Sequence, residues 1–228
     1  MKFSTGFFLL TFVIILCSCP SPPEPTLQMI GYKYFVLLPR DYDQQQTCPL
    51  ILFLHGAGCG TTNLDVVKYF GLGDYADSTA DFPFIVVAPQ TPDDWYPSFL
   101  TTILDTVISS YRVDTQRIYI TGFSMGGAGT YTTALYAPDR FAAIVPISGW
   151  GSTSRACEIA HIPAWIFHNE GDPTISAQNS HAMVDSLQQC GATDLRYTFY
   201  PDSTHNAWTS TYHNPELYSW LLSHSKIK

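Results

Sequence analysis

Apolar positions along this chain fall into seven short, nearly unbroken runs, with longer mixed stretches between them. The runs at 32–39, 50–55, 84–89, 117–121, 142–148, 164–168 and 196–200 read as strands. In 50–55 almost every residue is apolar, as in a strand covered on both faces, rather than alternating as in one with a wet face. The intervening windows 65–76, 101–111, 127–136, 177–189 and 215–223 read as helices. Buried strands separated by helices predict a mostly parallel, doubly wound α/β sheet with helices on both faces, built as one domain over residues 31–228. Functional groups in such sheets gather beyond the carboxyl ends of the strands.

One of those strand ends carries a specific pattern. The run 117–121 leads into Gly122-Phe123-Ser124-Met125-Gly126, and a helical segment with Gly127, Ala128 and Gly129 follows. A strand that turns sharply into a helix with serine at the apex is a nucleophile elbow. The turn strains the serine backbone and crowds its neighbours, so the positions two before and two after must be small. The amino end of the following helix directs free N–H groups and a positive dipole toward the place where an oxyanion would form.

A serine hydroxyl needs a base to take its proton, and that base needs an acid to hold its tautomer and charge. On this architecture the order is serine, acid, histidine. Asp172 follows the strand 164–168 and His205 follows the strand 196–200. For the acid, Asp172 is preferred to Glu170, which precedes the turn at Gly171, and to Asp202, which is too close in sequence to His205 to face its ring easily. For the base, His205 is preferred to His213, which lies farther into a helical segment, and to His168, which ends a strand and reads as a packed core residue. His161, His181 and His224 read as surface residues. Two backbone donors complete the chemistry: the N–H of Met125 and, after the strand 50–55, that of Ala57 in His55-Gly56-Ala57-Gly58. His55 itself reads as a structural ring that ties down this loop. Trp95, Trp150 and Trp208 follow strands and are candidates for a substrate-binding rim, with loop packing as the competing explanation. Trp220 reads as core.

Composition narrows the setting. The 228 residues are 46% hydrophobic and 13% charged, with a formal net charge of −8. That describes a globular chain, and the absence of any Lys/Arg-rich cluster argues against nucleic acid as a partner. Lys2 precedes the apolar run 7–16, which has the length of a signal-peptide core, so residues 1–19 are expected to direct export. The ending Leu16-Cys17-Ser18-Cys19 resembles a bacterial lipobox, with Cys17 a departure from it, and favours lipidation of Cys19 over ordinary cleavage. Residues 20–30, which include four prolines within 20–25, would form an extended tether to a lipid-anchored domain at a bacterial membrane. An exported chain can hold disulfides. Cys157 and Cys190 each precede a predicted strand near one sheet edge and form the expected pair, while Cys48 and Cys59 have no assigned partner. No cysteine has metal-ligand spacing, and neither metal nor cofactor is expected. Only a short segment separates the strands 142–148 and 164–168, which leaves no room for a lid.

Taken together, Leu54-His55-Gly56-Ala57-Gly58, Ala88-Pro89-Gln90, the stretch Gly122 to Gly127, Phe167-His168 with Asp172, and His205 with Trp208 resemble one known group. It is that of the small lid-less α/β-hydrolases: feruloyl and acetylxylan esterases, polyhydroxyalkanoate depolymerase-like proteins and predicted peptidases. The closing segment from Asn214 to Leu222 is similar too. Asn169, where the group usually has glycine, and Thr174-Ile175, where a valine-proline pair is common, are departures in the acid loop. The resemblance implies a Ser124–Asp172–His205 triad and an exported serine esterase acting on feruloyl or acetyl esters of plant polysaccharides. A peptidase using the same triad and a non-catalytic glycan-binding protein are the alternatives.

Overall fold

A computed structural model describes residues 32–59 and 63–226. The expected export segment with Cys19, and the tether, lie outside the described residues. All seven predicted strands are present: β1 (Lys33–Leu37), β2 (Cys48–Leu54), β3 (Ile85–Gln90), β4 (Val113–Phe123), β5 (Ala143–Ile147), β6 (Ala164–Asn169) and β7 (Leu195–Tyr200). They form one sheet in the order β1-β3-β2-β4-β5-β6-β7. β1 pairs antiparallel with β3, and every other pairing is parallel.

Every residue of β2, β3, β5 and β6 is buried, and alternation decides which layer each one joins. Leu50, Leu52 and Leu54 point into one core with Ile118, Ile120, Ile144 and Ile166. This face is covered by α3 (Pro97–Ser110), α4 (Met125–Tyr136) and α5 (Gln178–Gln189). Ile51 and Phe53 point the other way, into a second core with Tyr119, Phe123, Val145 and Phe167. There the cover is α1 (Asp65–Lys68), α2 (Leu72–Ser78), α6 (Trp208–Tyr212) and α7 (Pro215–Leu222).

Two helical details differ from the sequence reading. The window 65–76 is two helices, because Gly71 adopts φ +62°, and a Cβ there would also crowd the Phe53 ring at 3.0 Å. The helical segment after His205 is a separate five-residue α6, which ends before Pro215 opens α7. The strands β5 and β6 are joined by a segment whose helical part is one 3₁₀ stretch, Thr153–Glu158, so among the described residues no lid is inserted there. A disulfide between Cys157 and Cys190 fastens that stretch to the end of α5, as expected. Cys48 and Cys59 are buried free thiols.

Candidate active site

Ser124 occupies the turn between β4 and α4 with φ 56° and ψ −120°, one of two non-glycine residues with positive φ among those described. The local sequence leaves the chain little alternative. A Cβ on Gly122 would run into the Gly126 carbonyl, and one on Gly126 would run into the Leu54 carbonyl of the neighbouring strand. Small residues therefore permit the close approach of β2, β4 and α4 that holds the strained serine.

Two loops from the adjacent half of the sheet reach this serine. His205 Nε2 lies 2.9 Å from Ser124 Oγ, and His205 Nδ1 lies 2.6 Å from Asp172 Oδ2. A proton on Nδ1 donated to the carboxylate leaves Nε2 as an acceptor for the serine hydroxyl. The backbone N–H groups of Thr174 and Ile175 donate to Asp172 Oδ1 at 2.8 and 3.0 Å. Burial by itself would push this carboxyl group up. The hydrogen bonds from His205, Ile175 and Thr174 outweigh it and hold the group below its ordinary value.

The competing residues are occupied elsewhere. Glu170 is exposed and pairs with His181 at 3.2 Å. Asp202 accepts from the N–H of Thr204, and His213 is exposed, its Nδ1 2.8 Å from the Thr209 carbonyl. His168 is fully buried, as expected of a packed residue, yet it also lies against Asp172.

Beyond β2, Ala57 opens a short 3₁₀ turn, and Met125 is the first residue of α4. Leu54 stands opposite Gly122 in the parallel register, so both segments leave the sheet at the same edge. The His55 ring fixes this loop as anticipated. Its Nδ1 lies 2.8 Å from the Gly56 carbonyl and its Nε2 accepts the Thr91 N–H at 3.2 Å.

The three tryptophans separate. Trp95 is no rim residue: it is 4% exposed and donates from Nε1 to the His55 carbonyl. Its ring fills the space that a side chain at position 129 would need, with a Cβ on Gly129 only 2.8 Å away. Burial beneath α4 thus overrides its position after a strand. Trp150 is 43% exposed, just beyond β5. Trp208 is half-buried, stacked on Phe123 with centroids 4.3 Å apart and edge-on to the His205 ring at 5.7 Å.

Sequence reasoning missed the links between the acid and base loops. Asn169 is buried and donates from Nδ2 to the Thr204 carbonyl at 2.8 Å, directly before His205. The N–H of Gly171 donates to the Asp202 carbonyl at 2.9 Å. The departure from glycine at 169 was the available signal for the first of these. Among the described residues, no three His, Cys, Asp or Glu side chains gather as a metal-binding group.

The sequence profile of the PET hydrolase-like family matches residues 95–221, which include Ser124, Asp172 and His205. The chain belongs to the PET hydrolase-like family. The chain is 25% identical to a probable feruloyl esterase C of Aspergillus niger, over 82% of this chain and 74% of the relative. It is 26% identical to a bifunctional acetylxylan esterase/xylanase of Neocallimastix patriciarum, over 75% of this chain. A solved thermostable esterase superposes with a TM-score of 0.76 at 33% identity, over 84% of this chain. The PET hydrolase-like chain spans 26% of the length of the bifunctional enzyme and 58% of that of the thermostable esterase.

Proposed function

We propose that this chain is a carboxylic ester hydrolase whose nucleophile is Ser124. The observation that carries the reading is the unbroken hydrogen-bonded line from Ser124 Oγ through His205 to Asp172. Ser124 attacks the ester carbonyl as His205 Nε2 takes its proton, and Asp172 orients and stabilises the imidazolium. The N–H groups of Ala57 and Met125 receive the oxyanion. The alcohol leaves with the proton held by His205, and water activated by the same nitrogen then releases the acid from the acyl-enzyme.

The substrates we propose are feruloyl or acetyl esters attached to plant polysaccharides. Relatives named as feruloyl esterase and acetylxylan esterase/xylanase support this. So do the exposed Trp150 and the Trp208 ring beside His205, which offer flat apolar surface to an aromatic acyl group or a sugar. We also propose export, with Cys19 as the site of a lipid anchor. The Cys157–Cys190 disulfide supports an oxidising compartment.

The test is hydrolysis of acetyl, butyryl and feruloyl esters by the purified domain, with Ser124→Ala as the control. We expect one acyl class to be released, and the alanine variant to lower kcat by about 10⁶-fold. Release by Ser124→Ala at the wild-type rate would sink the serine mechanism. Cleavage of peptide amides in place of esters would make the chain a peptidase. Glycan binding without any hydrolysis would leave it a binding protein.

A further inference from the structure

A buried histidine that takes no part in the proposed proton transfers stands directly behind the acid. His168, near the end of β6, is 0% exposed. Its Nε2 is 2.9 Å from the carbonyl oxygen of Ile175 and 3.3 Å from Asp172 Oδ2. Both neighbours are pure acceptors, so Nε2 must carry the proton. Its Nδ1 is 2.7 Å from the hydroxyl of Ser180, which is 1% exposed on α5. In a neutral ring this nitrogen is a lone pair, and Ser180 donates to it. The serine thereby fixes the tautomer that turns an N–H toward Ile175 and Asp172.

These contacts close a ring of interactions around the acid. His168 donates to the carbonyl of Ile175, the N–H of Ile175 donates to Asp172 Oδ1, and Asp172 Oδ2 lies against His168. One carboxylate oxygen is held by the backbone of Thr174 and Ile175, the other faces both His205 and His168. The carboxylate therefore cannot turn without breaking several contacts. The titratable groups facing His168 are Asp172 and His205, and burial, against the pull of the Ile175 carbonyl and Asp172, favours the uncharged ring. A neutral donor suits this place. A cation 3.3 Å from Asp172 would compete with the imidazolium of His205 for the same negative charge, whereas a neutral N–H orients the carboxylate and leaves its charge available.

We infer that His168, oriented by Ser180, is a positioning residue that holds the Asp172 carboxylate in register with His205. This rests on reading Ser124, His205 and Asp172 as one catalytic unit.

The experiment measures kcat and KM on an aryl acetate for His168→Leu, His168→Gln and Ser180→Ala, each alone and combined with Asp172→Asn, alongside thermal melting. Removal of the ring as His168→Leu should lower kcat by about 10- to 100-fold with little change in KM, the cost of a misplaced catalytic group. His168→Gln, which keeps an N–H donor, should recover at least about half of that loss on a logarithmic scale, and Ser180→Ala should cost about 3- to 10-fold. On the Asp172→Asn background each of these losses should shrink to about twofold or less, because residues that act through one another are not additive. Should His168→Leu fail to fold, the Gln and Ser180→Ala variants carry the same comparison. Wild-type kcat in Ser180→Ala and His168→Gln together with folded His168→Leu, or losses that persist undiminished without the Asp172 carboxylate, would overturn the inference. Ser124→Ala run in parallel separates the two failures. If it is inactive while the His168 and Ser180 variants behave as wild type, only the positioning role falls. If it remains active, the reading beneath falls first.

Discussion

Ser124 is held by a backbone that admits little besides glycine on either side of it, whereas Asp172 and His205 stand on two loops joined through polar contacts. On the nucleophile side the fixing interactions are steric and close in sequence. Gly122 and Gly126 each lie two residues from the serine, and each abuts a backbone carbonyl. On the acid–base side they are hydrogen bonds between residues far apart in the chain, such as Asn169 to Thr204 and His205 to Asp172. Packing contacts of the first kind can scarcely yield, while hydrogen bonds of the second kind can be lost one at a time. Substitutions on the two sides should therefore fail differently, by misfolding on one and by graded loss of turnover on the other.

After removal of the nucleophile itself, the largest effect should come from the acid. Asp172→Asn keeps the shape of the side chain but offers His205 an amide in place of a charge. We expect kcat to fall by about 10⁴-fold, equivalent to about 5.4 kcal/mol, with the melting temperature changed far less than turnover. Steady-state kinetics beside a thermal melt would check this. A kcat within tenfold of wild type would move the role of acid to another carboxylate.

On the nucleophile side the matching change is Gly126→Ala. Its methyl group would meet the Leu54 carbonyl, with the His55 carbonyl 2.8 Å away, and neither is a flexible side-chain end. Overpacking of this kind costs about 3 kcal/mol. Urea unfolding should show that loss, accompanied by a fall in activity in proportion to the folded fraction. Full stability together with reduced kcat would mean that the elbow yields locally, contrary to the steric account.

These two sides also differed in how far the sequence disclosed them. The elbow was legible because its constraint is written within five consecutive residues, and β2, β3, β5 and β6 were legible because burial on both faces makes continuous apolar runs. The break at Gly71 was not, since nothing in the window distinguishes it from Gly73, which sits inside α2. The choice between rim and packing for Trp95 was not legible for a related reason. Its burial depends on the missing side chain at Gly129, 34 positions away on another element. The cross-loop network was harder still. Asn169 stood out as a departure from glycine, but nothing in its neighbourhood points to Thr204, and nothing in the sequence marks Ser180 as buried against His168.

Asn169 gives the next test of the contrast. Asn169→Gly removes the bond to the Thr204 carbonyl. We expect about 1 to 2 kcal/mol of lost stability, from the hydrogen bond and the added freedom of glycine. The base loop would also loosen, and kcat should fall about 3- to 10-fold. Unchanged kinetics and melting would mean that the remaining backbone bonds, such as Gly171 to the Asp202 carbonyl, suffice to join the loops.

The pH dependence of stability gives a further test of the acid–base side. The elbow contains no titratable group. His168 sits behind Asp172, and burial holds its affinity for a proton below the ordinary histidine value. The same holds for His55 in the loop after β2. In the unfolded chain both rings bind a proton as pH falls through about 6.5, while in the folded protein they stay neutral to lower pH. The unfolded state then binds more protons, so the stability present above about pH 6.5 declines below it, by at most about 1.4 kcal/mol per pH unit for each ring. Asp172 adds a second phase. Its folded value is depressed, so its contribution is complete above about pH 3.9 and is lost as pH falls through the folded value. Melting temperatures from pH 8 to pH 4.5 should therefore be level and then fall, with a shallower fall in His168→Gln and an undiminished one in Ser124→Ala. An equal slope in both variants would show that His168 binds its proton as readily folded as unfolded, and the acid–base side would lose its claim to be the part of the site that responds first to acid.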